Sequence, residues 1–195
     1  MKEKTETISG LKFYTVASAF QKTIRRGMES EALFYGTELM LSNYDEFAWF
    51  RMRVIMSEDI GIANPTLPAQ IEALYSAYTA MKAMKNRHAP ERLPFVHAIM
   101  LLARSPKSRL VDNKLSQYFS FRDKMETPEF PDFVFDKHTR EGREMGRDFD
   151  HFFNESAQLV NIPAELAVEE KECHELVKDL FVTREIEKFG VKDKD

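Results

Sequence analysis

The stretch "RVIMSEDIGIANPTLP" (residues 53–68) decides how the chain divides into helices. An apolar helical run at 54–56 leads into two adjacent acids, Glu58 and Asp59, and Gly61 with the following Asn-Pro dipeptide then stops the helix. Acids near a helix C-terminus face the negative end of the macrodipole, which is unfavourable by about 0.3–1 kcal/mol each. We therefore expect Glu58 and Asp59 to face positive side chains from other parts of the chain.

On both sides of this stretch, apolar residues recur at helical spacing. The chain has only 7 glycines, and runs of β-branched residues are scarce. This pattern predicts an all-α fold, a compact array of about six helices with short connections. The predicted helices cover about 12–26, 29–42, 46–60, a segment opening at Pro68, 94–104 and 108–124.

The composition changes after the sixth helix and predicts three parts of the chain. Residues 1–10 form a polar, frayed tail, and residues 11–125 form the helical domain. Residues 126–195 form an irregular arm and a C-terminal helix that pack on the domain or on a partner. Within this last part, a short helix is predicted near 145–159 and a final one over about 163–188.

The overall charge and cysteine content limit the functional class. The formal net charge is −4, so no global basic field indicates nucleic acid, although a local basic face remains open. A single cysteine excludes an intramolecular disulfide and any zinc site built on several cysteines. No apolar run approaches 18 residues, and no signal-peptide pattern opens the chain. These features predict a soluble protein of the cytoplasm, with no membrane contact and no cofactor.

Four stretches carry a resemblance to a known family. They are "SAFQKTIRRG" (18–27), "EALFYGTELM" (31–40), "RMRVIMSEDIGIANP" (51–65) and "AIMLLARSPKSRL" (98–110). In this order they resemble the C-terminal region of the RarA/MgsA AAA+ ATPases, relatives of the Werner-helicase-interacting protein. The resemblance covers about residues 15–120, and "SEDIGIANP" is its most specific element.

The resemblance implies an all-α fold related to the collar domains of clamp loaders. It also implies self-association, commonly as a tetramer, and work at stalled or damaged replication forks. Nothing in the sequence resembles G-x-x-x-x-G-K-[ST], so the resemblance is to the collar-type module without its ATPase motor. The sequence departs from the family pattern at two places. Phe34-Tyr35-Gly36 stands where the family has Tyr-Trp, and Asn64 stands where the family has an aspartate.

The two acids of the opening stretch are the first candidate site. On the structural interpretation they form ion pairs that fix the packing of three helices. The candidate partners are Arg25, Arg26, Arg51, Lys107 and Arg109. A metal site is the alternative, but adjacent carboxylates on a helix point about 100° apart and rarely bind one ion.

A basic cluster on the predicted first helix is the second candidate. Lys22, Arg25 and Arg26 are spaced i, i+3, i+4, and beside "RSPKSR" they could contact phosphates. The alternative is a solvated face that also supplies the ion pairs above.

The charged segment 136–151 admits two interpretations. Asp136, His138, Asp148, Asp150 and His151 have spacings that a divalent metal can use, which would make the protein a metal-dependent enzyme. The alternative is an interaction arm that presents three arginines on one helical face to an acidic partner or to neighbouring acids. These arginines are Arg140, Arg143 and Arg147.

The last helix offers Glu170 and His174 at i, i+4, with Cys173 between them. One acid and one histidine do not complete a metal site, and the thiol lacks an obvious base with a group to orient it, so an inert, partly buried cysteine is expected.

Together these observations predict a non-catalytic oligomerisation or interaction module, associated with DNA replication or recombination. The expected partners are a second copy of the chain, as a dimer or tetramer, and a separate AAA+ ATPase or replication protein. The alternatives are a nucleic-acid-binding module that uses the basic clusters and the metal-dependent enzyme.

Overall fold

The computed structural model describes residues 6–85 and 88–190, and their regular structure is helical, as predicted. Contacts divide the chain into a first unit, Met1–Met125, and a second unit, Glu126–Asp195. No helix in the described ranges combines the length and the apolar character that crossing a bilayer requires.

Within residues 6–85 and 88–125, the first unit contains six α-helices. They are α1 (Phe13–Arg25), α2 (Glu29–Leu41), α3 (Asp45–Ile55), α4 (Leu67–Ala83), α5 (Arg92–Arg104) and α6 (Leu110–Leu115). Two of the predicted helices end differently. Instead of running to residue 60, α3 gives way to a π-helical turn, Met56–Ile60, and a 3₁₀ turn, Gly61–Ala63. Instead of running to 124, α6 is followed by a π-helical turn, Ser116–Ser120, and a 3₁₀ turn, Arg122–Lys124.

The core of the first unit is built around α2 and a group of aromatic rings. α2 packs on both α1 and α5. At Gly36 the helices approach so closely that a Cβ would lie 2.5 Å from Cδ1 of Ile99 and 2.9 Å from Cε2 of Phe20. The glycine therefore permits close approach of α2 to α1 and α5. Trp49 is fully buried, with the rings of Tyr75 and Tyr78 5.2 and 5.3 Å away.

Residues 6–10 are tied to α2, so the prediction of a frayed tail is wrong for this part. The Ile8 amide donates to Ser42 Oγ at 2.8 Å, and the Ser9 amide donates to Glu38 Oε1 at 2.9 Å. Hydrogen bonds from Thr7 and Ser9 lower the pKa of the buried Glu38 carboxyl, although burial opposes them. Residues 1–5 lie outside the described residues.

Between residues 126 and 190, the described part of the second unit contains three α-helices. They are α7 (Arg140–Glu144), α8 (Phe149–His151) and α9 (Ala167–Gly190), with a 3₁₀ turn at Asp132–Val134 and a π-helical turn at Phe152–Ser156. Among its described large apolar side chains, only Phe153 is buried. Phe149 and Phe153 pack against Phe181 of α9, with ring centroids 4.9 and 5.9 Å apart.

Candidate functional site

Glu58 and Asp59 share two arginines. Arg25 of α1 donates from Nε to Asp59 Oδ1 at 2.6 Å and from Nη2 to Glu58 Oε1 at 2.8 Å. Arg109 donates from Nη1 to the same two oxygens, at 3.0 Å and 3.1 Å. Each guanidinium bridges both carboxylates, and this compensates for burying Asp59, whose side chain is 1% exposed. We call these four residues the ion cluster.

The ion cluster joins three segments of the first unit: α1, the π-helical turn at 56–60 and the segment before α6. A backbone hydrogen bond adds to it, because the Ser108 amide donates to the Asp59 carbonyl at 2.9 Å. Gly61 ends the turn with φ +50° and ψ −127°, and a Cβ there would lie 2.7 Å from Cγ2 of Val111. Only glycine adopts this backbone without strain, so residue 61 sets how closely α6 packs on the turn.

Arg109 is held by a further acid at the start of α6. Its Nη2 donates to Asp112, and this hydrogen bond is the main reason that the pKa of Arg109 is raised. Gln21 of α1 donates to the second oxygen of Glu58 at 2.9 Å. The cluster is therefore a set of mutually neutralising charges.

Lys107 has a different role from the one the sequence predicts. Its ammonium donates to the carbonyls of Leu102, Ala103 and Ser105, at 2.8, 2.9 and 2.6 Å, and so caps the C-terminus of α5. Burial lowers the pKa of Lys107, and the charge of Asp59 opposes that shift.

Two other expected partners of the acids are corrected by the structure. Arg26 is the C-cap residue of α1 and exposed, and among the described residues it forms no ion pair with Glu58 or Asp59. Arg51 lies over the Phe47 ring instead, with its guanidinium carbon 5.5 Å from the centroid. The predicted phosphate patch is also reduced, because Arg25 is neutralised in the ion cluster and only Lys22 and Arg26 remain exposed.

Comparison with known proteins decides the family. Residues 28–177 match the family described as the C terminal of the MgsA AAA+ ATPase. The chain belongs to the MgsA C-terminal family. The four stretches quoted above cover about residues 15–120, whereas the family match extends well into the second unit.

Two curated relatives of this MgsA C-terminal chain are longer proteins. One is the replication-associated recombination protein A of Bacillus subtilis, 30% identical over 139 residues, which are 71% of this chain and 32% of that protein. The other is an uncharacterized AAA domain-containing protein of Mycobacterium tuberculosis, 34% identical over 109 residues, which are 55% of this chain and 23% of that protein. The chain therefore spans about a third of the first relative and about a quarter of the second.

In the MgsA C-terminal chain, the acids and histidines of segment 136–151 form hydrogen bonds and ion pairs within the second unit. Asp136 accepts from the amides of His138 and Thr139 at 2.9 and 3.2 Å, and the nearby imidazole of His138 lowers its pKa. Asp148 caps α8 by accepting from the His151 amide at 3.0 Å. No group of three such side chains within 6–85 and 88–190 converges to hold a metal ion.

The two remaining members of the predicted metal set also form local contacts. Asp150 pairs with Lys178 of α9 at 3.2 Å, and His151 Nε2 lies 3.4 Å from Asp132 Oδ2. The spacing in sequence does not bring these side chains to one point.

The three arginines of this segment do not form one free face. Arg140 pairs with the neighbouring acid Glu144 at 2.8 Å, and Arg147 pairs with Asp132 at 2.7 Å. Arg143 donates to the carbonyls of Lys137 and His138 at 3.2 and 3.0 Å. α7 ends at Glu144, and Gly146 has a positive φ, so Arg147 leaves the helical face of the other two.

On α9, His174 Nε2 lies 3.1 Å from the Phe153 carbonyl. Cys173 is exposed, so the expectation of a partly buried thiol is wrong. Through the contact with the Phe153 carbonyl, the histidine holds the π-helical turn at 152–156. Glu170 and His174 also line a cavity of about 330 Å³ beside Ile162.

An exposed aromatic segment lies in the first unit, where the sequence predicts part of a helix. Tyr118, Phe119 and Phe121 are all exposed at the π-helical turn that follows α6. The sequence contained a signal, because rings at these three positions do not fit one face of the predicted helix over 108–124.

Proposed function

We propose that this MgsA C-terminal chain is a non-catalytic assembly module that forms a homo-oligomer, a dimer or a tetramer. Its context is DNA replication and recombination, a role supported by membership of the family and by the name of the Bacillus subtilis relative. An AAA+ ATPase is the second proposed partner, because the family is that of an AAA+ ATPase C-terminal region.

One observation carries the proposal of self-association: the apolar stripe of α9. Leu176 and Leu180 are spaced i, i+4, and their side chains are 61% and 57% exposed. Other positions of α9 do pack in the second unit, where Phe181 contacts Phe149 and Phe153. The helix is thus anchored by its own unit and still leaves a pair of leucines in water.

Burial of such leucines provides the driving force for assembly. Full burial of a leucine side chain is worth about 1.5–3 kcal/mol, and apolar stripes with polar neighbours are typical of interaction sites. A closed symmetric oligomer can bury the same stripe of every copy. Glu172, Glu175 and Asp179 lie in the same stretch of α9 and are exposed, which suits the polar rim of such an interface.

The non-catalytic part of the proposal has its own expected outcome. The sequence has no G-x-x-x-x-G-K-[ST], so no backbone nest, phosphate lysine or magnesium-binding hydroxyl stands at the spacing that ATP requires. We expect isothermal titration with ATP and magnesium to give no binding heat. Saturable binding in the micromolar range would contradict this.

The experiment for self-association compares two variants of equal charge change. Leu176→Glu/Leu180→Glu adds two negative charges to the stripe, and Lys171→Glu makes the same net change at an exposed position of the same helix. Light scattering coupled to size exclusion should give the wild type and Lys171→Glu a mass of two or four times 22.8 kDa at micromolar concentration. The double variant should approach 22.8 kDa. A wild type that remains at the monomer mass over a concentration series would refute homo-oligomerisation.

A further inference from the structure

The segment Lys114–Lys124 of the first unit carries three exposed aromatic rings and three cations. Phe119 is the most exposed, at 82%, and Tyr118 and Phe121 are about half exposed. The rings lie on and just after the π-helical turn Ser116–Ser120, a geometry that recurs at functional sites. We call this segment the aromatic–basic turn.

The cations of the aromatic–basic turn lie beside its rings. The ammonium of Lys114 is 5.5 Å from the centroid of Tyr118, and that of Lys124 is 5.2 Å from the centroid of Phe121. Arg122 lies between these rings and Lys124 in sequence, and Asp123 is the only acid of the segment. Within the described residues, none of the three cations forms an ion pair with an acid, so their charge is available to a ligand.

We propose that the aromatic–basic turn binds single-stranded nucleic acid. Unpaired bases stack on aromatic side chains, and phosphates are attracted to lysine and arginine, so a single strand offers both chemistries at the spacing of adjacent nucleotides. A duplex offers only its phosphates, because its bases are already stacked on one another. The rings therefore favour a single strand.

A second copy of the chain fits this surface less well. In a two-fold symmetric contact the same patch lies on both sides, which would bring the cations of one copy, Lys114, Arg122 and Lys124, near the cations of the other. Like charges in contact cost affinity. Assembly through α9 uses different residues in the second unit, so this inference does not depend on the proposed oligomer.

An anionic membrane also fits less well. Membrane-surface binding relies on a continuous apolar face along an amphipathic helix. α6 has only six residues, and the chain turns twice within the next nine.

The test is fluorescence anisotropy of the full chain with a labelled oligothymidylate of about 16 nucleotides, which covers one site of the usual size. Phe119→Ala should weaken binding about tenfold, because stacking of a base is worth about 1–3 kcal/mol and 1.4 kcal/mol corresponds to a factor of ten. Lys124→Ala should make the plot of log affinity against log salt about 0.7 less steep. A duplex of the same length should bind more weakly than the single strand.

Matched controls lie elsewhere in the first unit. Tyr14 is 78% exposed on α1, so Tyr14→Ala removes an equally accessible ring. Lys22→Ala removes an exposed cation that the sequence offers as a phosphate contact. Both controls should bind like the wild type.

Several results would overturn the proposal. One is the absence of wild-type binding at low salt at protein concentrations up to about 100 μM, which is the weakest dissociation constant typical of non-specific binding. Another is equal affinity of the wild type and Phe119→Ala for the oligonucleotide. Binding to vesicles of anionic phospholipid without binding to the oligonucleotide would assign the surface to a membrane instead. A Phe119→Ala change in the mass of the protein with unchanged affinity would assign it to a second copy.

Discussion

The two units of this chain use the same charged residue types with opposite results. In the first unit, Glu58 and Asp59 lie at a helix end, and two arginines from distant segments bridge them. In the second unit, Arg140 and Glu144 pair along one helical turn and both remain mostly in water. A pair that forms in water contributes about 0–1 kcal/mol, whereas a buried acid whose partner is removed costs several.

The difference follows from the size of the apolar core around each set of charges. The first unit buries a large set of aliphatic and aromatic side chains, so its polar groups must find partners as the helices close on one another. The second unit buries few, so a pair such as Arg140 and Glu144 stays hydrated and many of the large apolar side chains stay accessible. Charges therefore fix geometry in the first unit, and exposed apolar residues remain available for assembly in the second.

The largest expected effect is that of Asp59→Ala. This change leaves Arg25 with one acid instead of two, and it leaves Arg109 with Glu58 and Asp112. It also removes a carboxylate that is 1% exposed, so we expect a loss of about 3 kcal/mol in unfolding free energy. Glu58→Ala should cost less, because its side chain is 22% exposed. Thermal and urea unfolding measure both. Unchanged midpoints for both variants would remove the contrast between the units and favour a surface-binding role for the acids.

Gly61→Ala should have the next largest effect. Its backbone has φ +50° and ψ −127°, and the new Cβ would lie 2.7 Å from Val111, so we expect a loss of about 2 kcal/mol. Gly146→Ala in the second unit is the matched control, with φ +75° and no atom within 4 Å of the new Cβ. It should cost about 1 kcal/mol, the penalty of the left-handed backbone alone. Equal losses of unfolding free energy for the two variants in urea would mean that the contact with Val111 of α6 adds nothing to the cost of Gly61→Ala.

The smallest of these three effects is the contribution of Glu38 to the loss of stability at acidic pH. Hydrogen bonds from Thr7 and Ser9 lower the pKa of Glu38 in the folded protein below its usual 4.5. Ionised Glu38 therefore stabilises the fold above the unfolded pKa, and that stability is lost as the pH falls through the folded pKa. Glu38→Gln should lose less stability than the wild type across this window, measured as the thermal midpoint against pH. Identical acid profiles would show that residues 6–10 are not held by the carboxylate.

Much of the first unit could be predicted from the sequence, because its features are local. Apolar periodicity indicates its helices, and Gly27, a residue type that commonly ends helices, follows α1 with φ +69°. The helix dipole marks the acids that need partners, and both arginines that bind them are among the candidates. The sequence does not separate Arg25 from Arg26, because adjacent residues point about 100° apart and only the packing of α1 decides which one faces the turn.

The features that were missed depend on tertiary contacts or on helix geometry that no local pattern encodes. The π-helical turns after α3 and α6 have the composition of ordinary helix, so the aromatic–basic turn was assigned to a helix instead of an exposed turn. Lys107 was grouped with the acids because of its charge, although the α5 carbonyls lie closer. In segment 136–151, five metal-compatible residues lie close together in sequence. In the structure they form separate helix caps and local pairs instead of one site.

A double-mutant cycle tests the central claim most directly, that the ion cluster holds the first unit together. Asp59→Ala, Arg25→Ala and the double variant give the coupling energy of that pair by urea unfolding, and Arg140→Ala with Glu144→Ala gives the same quantity for the surface pair. We predict about 2 kcal/mol for the first cycle and about 0.3–0.5 kcal/mol for the second. A coupling of Asp59 to Arg25 no larger than that of Arg140 to Glu144 would contradict the account.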